Sequence, residues 1–244
     1  MARGQTAAAF GPGNCDVRGG VQGILEDMIQ GAIFDVDGTL LNTMRMWRTV
    51  AVKYLAQLGV TVDPELGARF FEMTLPESAQ LMREEFQLPY SVHEIMEGIH
   101  AAAANAYRQE CQLMPGAGDF VRALHARQIP MTIVSSGSED LIRAALSRLG
   151  LEDCFRAVFA STQTGLSKRE DTMFLQAAAV MGSRPEETWV FEDAPYAVRV
   201  AKAAGFRAIG IADENTRGYW DQLRAETEDF WYEYPSELPS YLLD

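Results

Sequence analysis

Acidic side chains stand in pairs at two places where an apolar run stops. Asp35 and Asp37 follow Gly31-Ala32-Ile33-Phe34 and precede Gly38 and Thr39, while Glu192 and Asp193 follow Thr188-Trp189-Val190-Phe191. Carboxylates so placed can serve as nucleophile, as proton donor and acceptor, or as oxygen ligands for a hard cation. Two further segments supply the opposite polarity. In Ile133-Val134-Ser135-Ser136-Gly137, two hydroxyls stand at a strand-to-helix turn, where backbone N–H groups favour an anion. Lys168 closes the stretch Thr164-Gly165-Leu166-Ser167-Lys168 and is one of three lysines, with Lys53 and Lys202, among 21 basic residues. Where arginine is used so heavily, a lysine between a strand and a helix is a marked choice. Each feature alone has a plain structural reading: an Asp-Gly turn, a serine cap, acids at a helix start, a solvated lysine. Their weight comes from their order on the elements that carry them.

Those elements alternate. Residues 31–36 read as a short buried strand ending at a polar turn. From Pro115 onward, helix Gly116 to Gln128 leads to strand Pro130 to Val134, and helix Ser138 to Leu149 leads to Ala157 to Ala160. Helix Thr172 to Met181 then leads to Thr188 to Phe191, and helix Ala194 to Ala204 leads to Ala208 to Ile211. This order predicts an α/β fold whose parallel sheet is covered on both faces, with Asp35, Ser135 and the Glu192-Asp193 pair at strand ends. Between the first strand and the rest, the chain reads as wholly helical over Thr43 to Leu58, Pro64 to Met73, Pro76 to Phe86 and Ser91 to Cys111. In the last of these, Val92, Ile95, Met96, Ile99, Ala103, Ala106 and Tyr107 recur at helical spacing. The expected division is a flexible tail over 1–27, a core of 28–43 and 113–244, and an inserted helical domain over 44–112. An alternative start at Met28 fits that tail. The aromatic segment Phe230-Trp231-Tyr232-Glu233-Tyr234 is expected to add an edge strand or to pack on the core.

Composition narrows the partners. The chain has 244 residues, of which 48% are hydrophobic, so it can bury a sizeable core. With 34 acidic against 21 basic residues, its formal net charge of -13 disfavours nucleic acid and anionic membrane surfaces and favours a small-molecule substrate. No apolar run is long enough to span a membrane. Cys15, Cys111 and Cys154 are odd in number and form no CxxC pair, which suits a reducing compartment, with the cytoplasm as the expected location. No protein partner is evident. His93, His100 and His125 lie on predicted helices without ligand spacing.

Phe34-Asp35-Val36-Asp37-Gly38-Thr39-Leu40-Leu41 resembles the first motif of the haloacid dehalogenase-like hydrolase superfamily. Ser135, Lys168 and the Glu192-Asp193 pair stand in order where that superfamily has its later motifs, and Ala201-Lys202-Ala203-Ala204-Gly205-Phe206 continues the pattern. The resemblance covers residues 31–212. It implies a Rossmann-like core of five parallel strands with a helical cap inserted after the first motif, in the branch related to β-phosphoglucomutase. Two positions depart. Arg169-Glu170-Asp171 stands where a proline often follows the lysine, and Asn42 stands where an acid is common; Asn42 is expected to cap the next helix.

By that resemblance the site is one for phosphoryl transfer. Asp35 is the nucleophile, Asp37 the acid and base, and Ser135, Ser136 and Lys168 hold the phosphate. Four acidic groups around one lysine would repel a phosphate dianion, and Mg²⁺ with oxygen ligands offsets this. The resemblance assigns it Asp35 and Asp193 through side chains, Asp37 through its backbone carbonyl, and Glu192 directly or through water. The acid at Asp37 favours a phosphate ester over a halide or phosphonate. A phosphomutase is the nearest alternative, but Met44-Arg45-Met46-Trp47 and Phe71-Glu72-Met73-Thr74-Leu75-Pro76 lack the histidine and basic loop expected of one. A catalytically silent binding protein on the same fold is the alternative of another class. A phosphorylated sugar or nucleotide is the expected substrate. Arg45, Trp47, Arg69, Phe70, Phe71 and Met73 are candidate lining residues.

Overall fold

The computed structural model describes residues 29–243. The expected tail and the start at Met28 lie outside them. Six strands form one parallel sheet: β1 Gly31–Phe34, β2 Met131–Ser135, β3 Ala157–Ala160, β4 Thr188–Glu192, β5 Arg207–Ile211 and β6 Asp229–Trp231, in the order β3-β2-β1-β4-β5-β6. The five-stranded expectation is thus one strand short. Phe230 to Tyr234 does both things proposed for it: β6 pairs with β5, while Trp231 and Tyr234 reach under the sheet to Phe120 at ring distances of 5.3 and 5.2 Å.

Strand alternation sorts the core. Ala32, Phe34, Ile133 and Phe191 point to one face, and Ile33, Val134 and Val190 to the other. The first face is covered by Phe120, Val121 and Leu124 of Ala117–Ala126 and by Ile142 and Ala145 of Glu139–Arg148. Phe34 stacks on Phe191 with centroids 4.4 Å apart and planes 6° apart, so the two central strands are pinned side chain to side chain as well as by the ladder. The second face takes Met173, Phe174 and Ala177 of Thr172–Met181 and Ala197 and Ala201 of Pro195–Ala203.

Between β1 and β2 come α1 Met44–Gln57, α2 Pro64–Glu72, α3 Leu75–Glu85 and α4 Val92–Asn105. Their starts are well marked: Asp63 accepts from Glu65 N, and Thr74 and Ser91 each form a reciprocal capping box with a glutamate three residues on. Asn42 does not cap α1, contrary to expectation; the N-cap is Thr43, and it makes no side-chain cap bond. The expected single helix to Cys111 also breaks. After Asn105 the chain makes a π-turn over Ala106–Glu110, closed by Cys111 N donating to Ala106 O at 2.8 Å. Such a turn inserts one residue into the helical register and re-aims the side chains that follow. No helix among the described residues is long and apolar enough to cross a membrane, and Cys111 and Cys154 are free thiols.

Candidate active site

Register brings the polar residues together. Phe34 pairs with Phe191, so the next residues, Asp35 and Glu192, emerge side by side, and Asp35 N donates to Phe191 O at 3.0 Å. Phe34 also pairs with Ile133 on the opposite side, which carries Ser135 to the same sheet edge. Since the chain leaves β1 toward β2 on one side and β4 lies on the other, this is where an open parallel sheet has its crevice.

Lys168 reaches into it from the loop before Thr172–Met181. Its Nζ donates to Asp35 Oδ1 at 2.6 Å and lies 2.5 Å from Glu192 Oε1, and all three side chains are buried. Burial works against the ammonium, but Asp35 and Glu192 outweigh it and raise its pKa above the ordinary lysine range. The carboxylates are less well compensated. Burial and the Asp35 charge push Glu192 up to about 7 in spite of Lys168, and burial, Glu192 and Asp35 hold Asp193 well above the usual carboxylate range. Glu192 Oε2 accepts from Asp193 N at 2.7 Å and Ala194 N at 3.2 Å, which fixes its second oxygen.

One ligand oxygen each from Asp35, Glu192 and Asp193 falls within 4.8 Å of the others. Three buried carboxylates against one lysine leave an excess of negative charge with hard oxygen donors only, which fits a divalent cation such as Mg²⁺. The Asp37 carboxylate is not among these three.

Asp37 sits instead against the helical block. Thr43 Oγ1 donates to Asp37 Oδ1 at 2.6 Å, and the Tyr107 hydroxyl donates to the same oxygen. Trp47 Nε1 in turn donates to Tyr107 OH at 3.0 Å. Burial and then Asp35 raise the pKa of Asp37, against the lowering effect of these hydrogen bonds. Burial and Asp37 raise Tyr107 well above its ordinary value, so its hydroxyl stays a donor. Sequence reasoning missed Tyr107 and Thr43: the first counted only as part of an apolar stripe, the second only as a helix start.

The turn between the two aspartates is closely packed. Gly38 has φ +86°, and a Cβ there would fall 2.5 Å from Asp193 Oδ2 and 2.9 Å from Met44 Cγ. Gly38→Ala is expected to cost about 1–2 kcal/mol from the left-handed backbone alone, with displacement of Asp193 in addition. Urea unfolding of the purified variant measures the loss, and a midpoint equal to the parent's would refute this account.

Ser135 is buried at the end of β2, and its Oγ accepts from Gly137 N at 3.0 Å. A Cβ on Gly137 would meet Ser135 Oγ at 3.3 Å and Asp37 Oδ2 at 3.5 Å, so both polar atoms border the same small space. Ser136 is exposed and lies close to Tyr196, another residue that sequence reasoning missed. Arg169, beside the lysine, lies over the Tyr196 ring at 4.9 Å.

The four acids, Ser135, Ser136, Lys168 and Tyr196 border one cavity of ≈ 390 Å³. Its floor holds Asp35, Asp37, Ser135, Ser136, Lys168, Glu192 and Asp193. Trp47, Phe70 and Met73 line it as expected, whereas Arg45 and Arg69 are exposed and do not. His93, His100 and His125 are also absent from the lining.

Residues 32–211 match the sequence profile of haloacid dehalogenase-like hydrolases. The chain is 28% identical over 211 residues to a probable pseudouridine-5'-phosphatase of Drosophila melanogaster, covering 81% of this chain and 90% of that protein. It is 28% identical over 180 residues to a bifunctional riboflavin kinase/FMN phosphatase of Arabidopsis thaliana, covering 73% of this chain but only 47% of that longer protein. In fold it is similar to the phosphate complex of CbbY from Rhodobacter sphaeroides, with a TM-score of 0.75, 22% identity, and coverage of 88% and 99% of the two chains. Since the matched profile spans both acidic pairs, Ser135 and Lys168, the chain belongs to the haloacid dehalogenase-like hydrolase family.

Proposed function

We propose that this chain is a Mg²⁺-dependent phosphatase that hydrolyses small phosphorylated metabolites through a phosphoryl group carried on Asp35. The observation that carries this reading is the meeting of Asp35 with Lys168 at 2.6 Å on a cavity floor that also holds a second, separately hydrogen-bonded acid, Asp37. The relatives named as an FMN phosphatase and a probable pseudouridine-5'-phosphatase support the same chemistry.

Asp35, Glu192 and Asp193 would hold the cation, with the Asp37 carbonyl as a further ligand by family resemblance. When bound, Mg²⁺ supplies charge neutralisation for the phosphate dianion. The chain's own residues do the rest. An Asp35 oxygen attacks phosphorus in line, and the bond to the ester oxygen breaks as the Asp37 carboxyl delivers its proton to the departing alcohol. Water then attacks the phosphoryl-aspartate; Asp37 takes its proton, phosphate leaves, and Asp35 regains its carboxylate. Lys168, Ser135, Ser136 and nearby N–H groups neutralise the phosphoryl oxygens. Thr43 and Tyr107 both occupy Asp37 Oδ1, so Oδ2, which shares its space with Ser135 Oγ, is assigned the proton transfers.

In the same reading, residues 44–112 act as a cap on a core of 28–43 and 113–244. The cap reaches the chemistry through Tyr107, so opening it breaks a hydrogen bond to the acid and closing it restores one. Tyr107→Phe is expected to slow alkyl phosphate turnover about 10-fold, the worth of one hydrogen bond to a charged group, and to affect aryl phosphates less. An equal loss on both ester classes would contradict this positioning role.

Phosphate release from p-nitrophenyl phosphate and from a panel of metabolite esters, with Mg²⁺ and with chelator, tests the reading. Absence of Mg²⁺-dependent release would favour the silent binding protein.

A further inference from the structure

We propose that the cavity selects phosphomonoesters whose alcohol part is uncharged and apolar or aromatic, over polyol phosphates and over esters bearing a second anion. This rests on the hydrolase reading above and concerns the opposite end of the same cavity. Among the described residues that line it Lys168 is the sole cation, and its ammonium is already held by Asp35 and Glu192 at the floor. The facing wall consists of Trp47, Val50, Phe70, Leu75 and Ile99 from the four helices of the block, and Met73 from the turn between α2 and α3. Polar atoms there are few: Ser78 on α3, and Thr216, whose hydroxyl donates to Asp213 O at 3.2 Å.

A hydroxylated leaving group pressed against that wall would give up water for few replacement hydrogen bonds, and a second phosphate or a carboxylate would meet no cation. An apolar group suffers neither loss and gains by burial. Planar surface is available as well: Trp47 on one side and, at the rim, Tyr219, 53% exposed on the 3₁₀ segment Glu214–Tyr219. With ≈ 390 Å³, the cavity holds a phosphate and a ring-sized group together. A mutase passing through a bisphosphate needs an anion site at each end, and this cavity offers one.

The test compares kcat/KM for two pairs of primary-alcohol esters in Mg²⁺: 2-phenylethyl phosphate against sorbitol 6-phosphate, and hexyl phosphate against hexane-1,6-diol bisphosphate. The first ratio is expected near 30-fold, from roughly 80 Å² of apolar surface leaving water, and hexyl phosphate should exceed its bisphosphate by at least about 10-fold. Met73→Lys, at a partly exposed lining position, should shift the second ratio toward the bisphosphate. Parity or reversal in either pair of the parent protein overturns the proposal. Calorimetric binding of the matching 2-phenylethyl and sorbitol phosphonates, which cannot be turned over, separates the two readings. The expected order of binding with no turnover of any ester refutes hydrolysis and sustains the pocket's selectivity; turnover with the opposite order of binding refutes the selectivity alone.

Discussion

Asp35→Asn is expected to abolish turnover, with kcat reduced by about 10⁴ or more, because an amide offers no anionic oxygen to attack phosphorus. The substitution keeps shape and volume while removing one of three buried carboxylates that crowd within 4.8 Å. The fold should therefore survive. Lys168 retains Glu192 at 2.5 Å, and the burden on Glu192 and Asp193 falls, since the Asp35 charge contributes to the raised pKa of both. A melting temperature in chelator equal to or above the parent's is the expected companion result. Substrate carrying labelled phosphate, followed by acid quench and peptide mapping, should mark Asp35 in the parent and nothing in the variant. A label on another residue would overturn the assignment of the nucleophile, as would substantial turnover by a variant shown by mass spectrometry to be free of deamidated protein.

Much of this site was legible because parallel sheets present chemistry at strand ends, and a strand end is visible as an apolar run stopped by polar residues. Asp35, Ser135 and Glu192-Asp193 all announce themselves this way, and β1, β2 and β4 turn out to be neighbours. Lys168 stood out by rarity and by its place before a helix. The residues that escaped are those whose role depends on tertiary direction. Tyr107 lies on an apolar stripe in the sequence, and only the π-turn, which leaves no periodic signal, aims its hydroxyl at Asp37. Thr43 begins a helix, but its hydroxyl goes to Asp37 instead of capping. Arg45 and Arg69 were plausible lining residues by chemistry alone, yet helix rotation sends them to solvent. The sixth strand is only three residues long and starts with an acid, Asp229, so its pairing rests on β5 offering an edge and on Trp231 and Tyr234 reaching the core.

Asp37→Asn is expected to separate the two halves of the reaction by leaving group. An alkyl alcohol departs as a strong base and needs a proton, which the parent supplies from a carboxyl whose pKa is raised by burial and by Asp35. The amide has no such proton to give and cannot take one from water later, so alkyl phosphate turnover should fall by about 10² to 10⁴, the usual span of general acid–base catalysis. Nitrophenolate leaves without protonation. With p-nitrophenyl phosphate the first step should therefore survive while water attack on the Asp35 phosphoryl-enzyme stays slow. The expected trace is a rapid burst of nitrophenol, close to one per active site, followed by slow turnover, with protein quenched during the slow phase still carrying phosphate on Asp35. The local structure can accept the change: Thr43 and Tyr107 donate to one oxygen, which the amide oxygen replaces, and the new NH₂ takes the side bordered by Ser135 Oγ. Full steady-state turnover of an alkyl phosphate by Asp37→Asn would overturn the acid–base assignment. A uniform loss on both ester classes without a burst would place Asp37 in binding or folding instead.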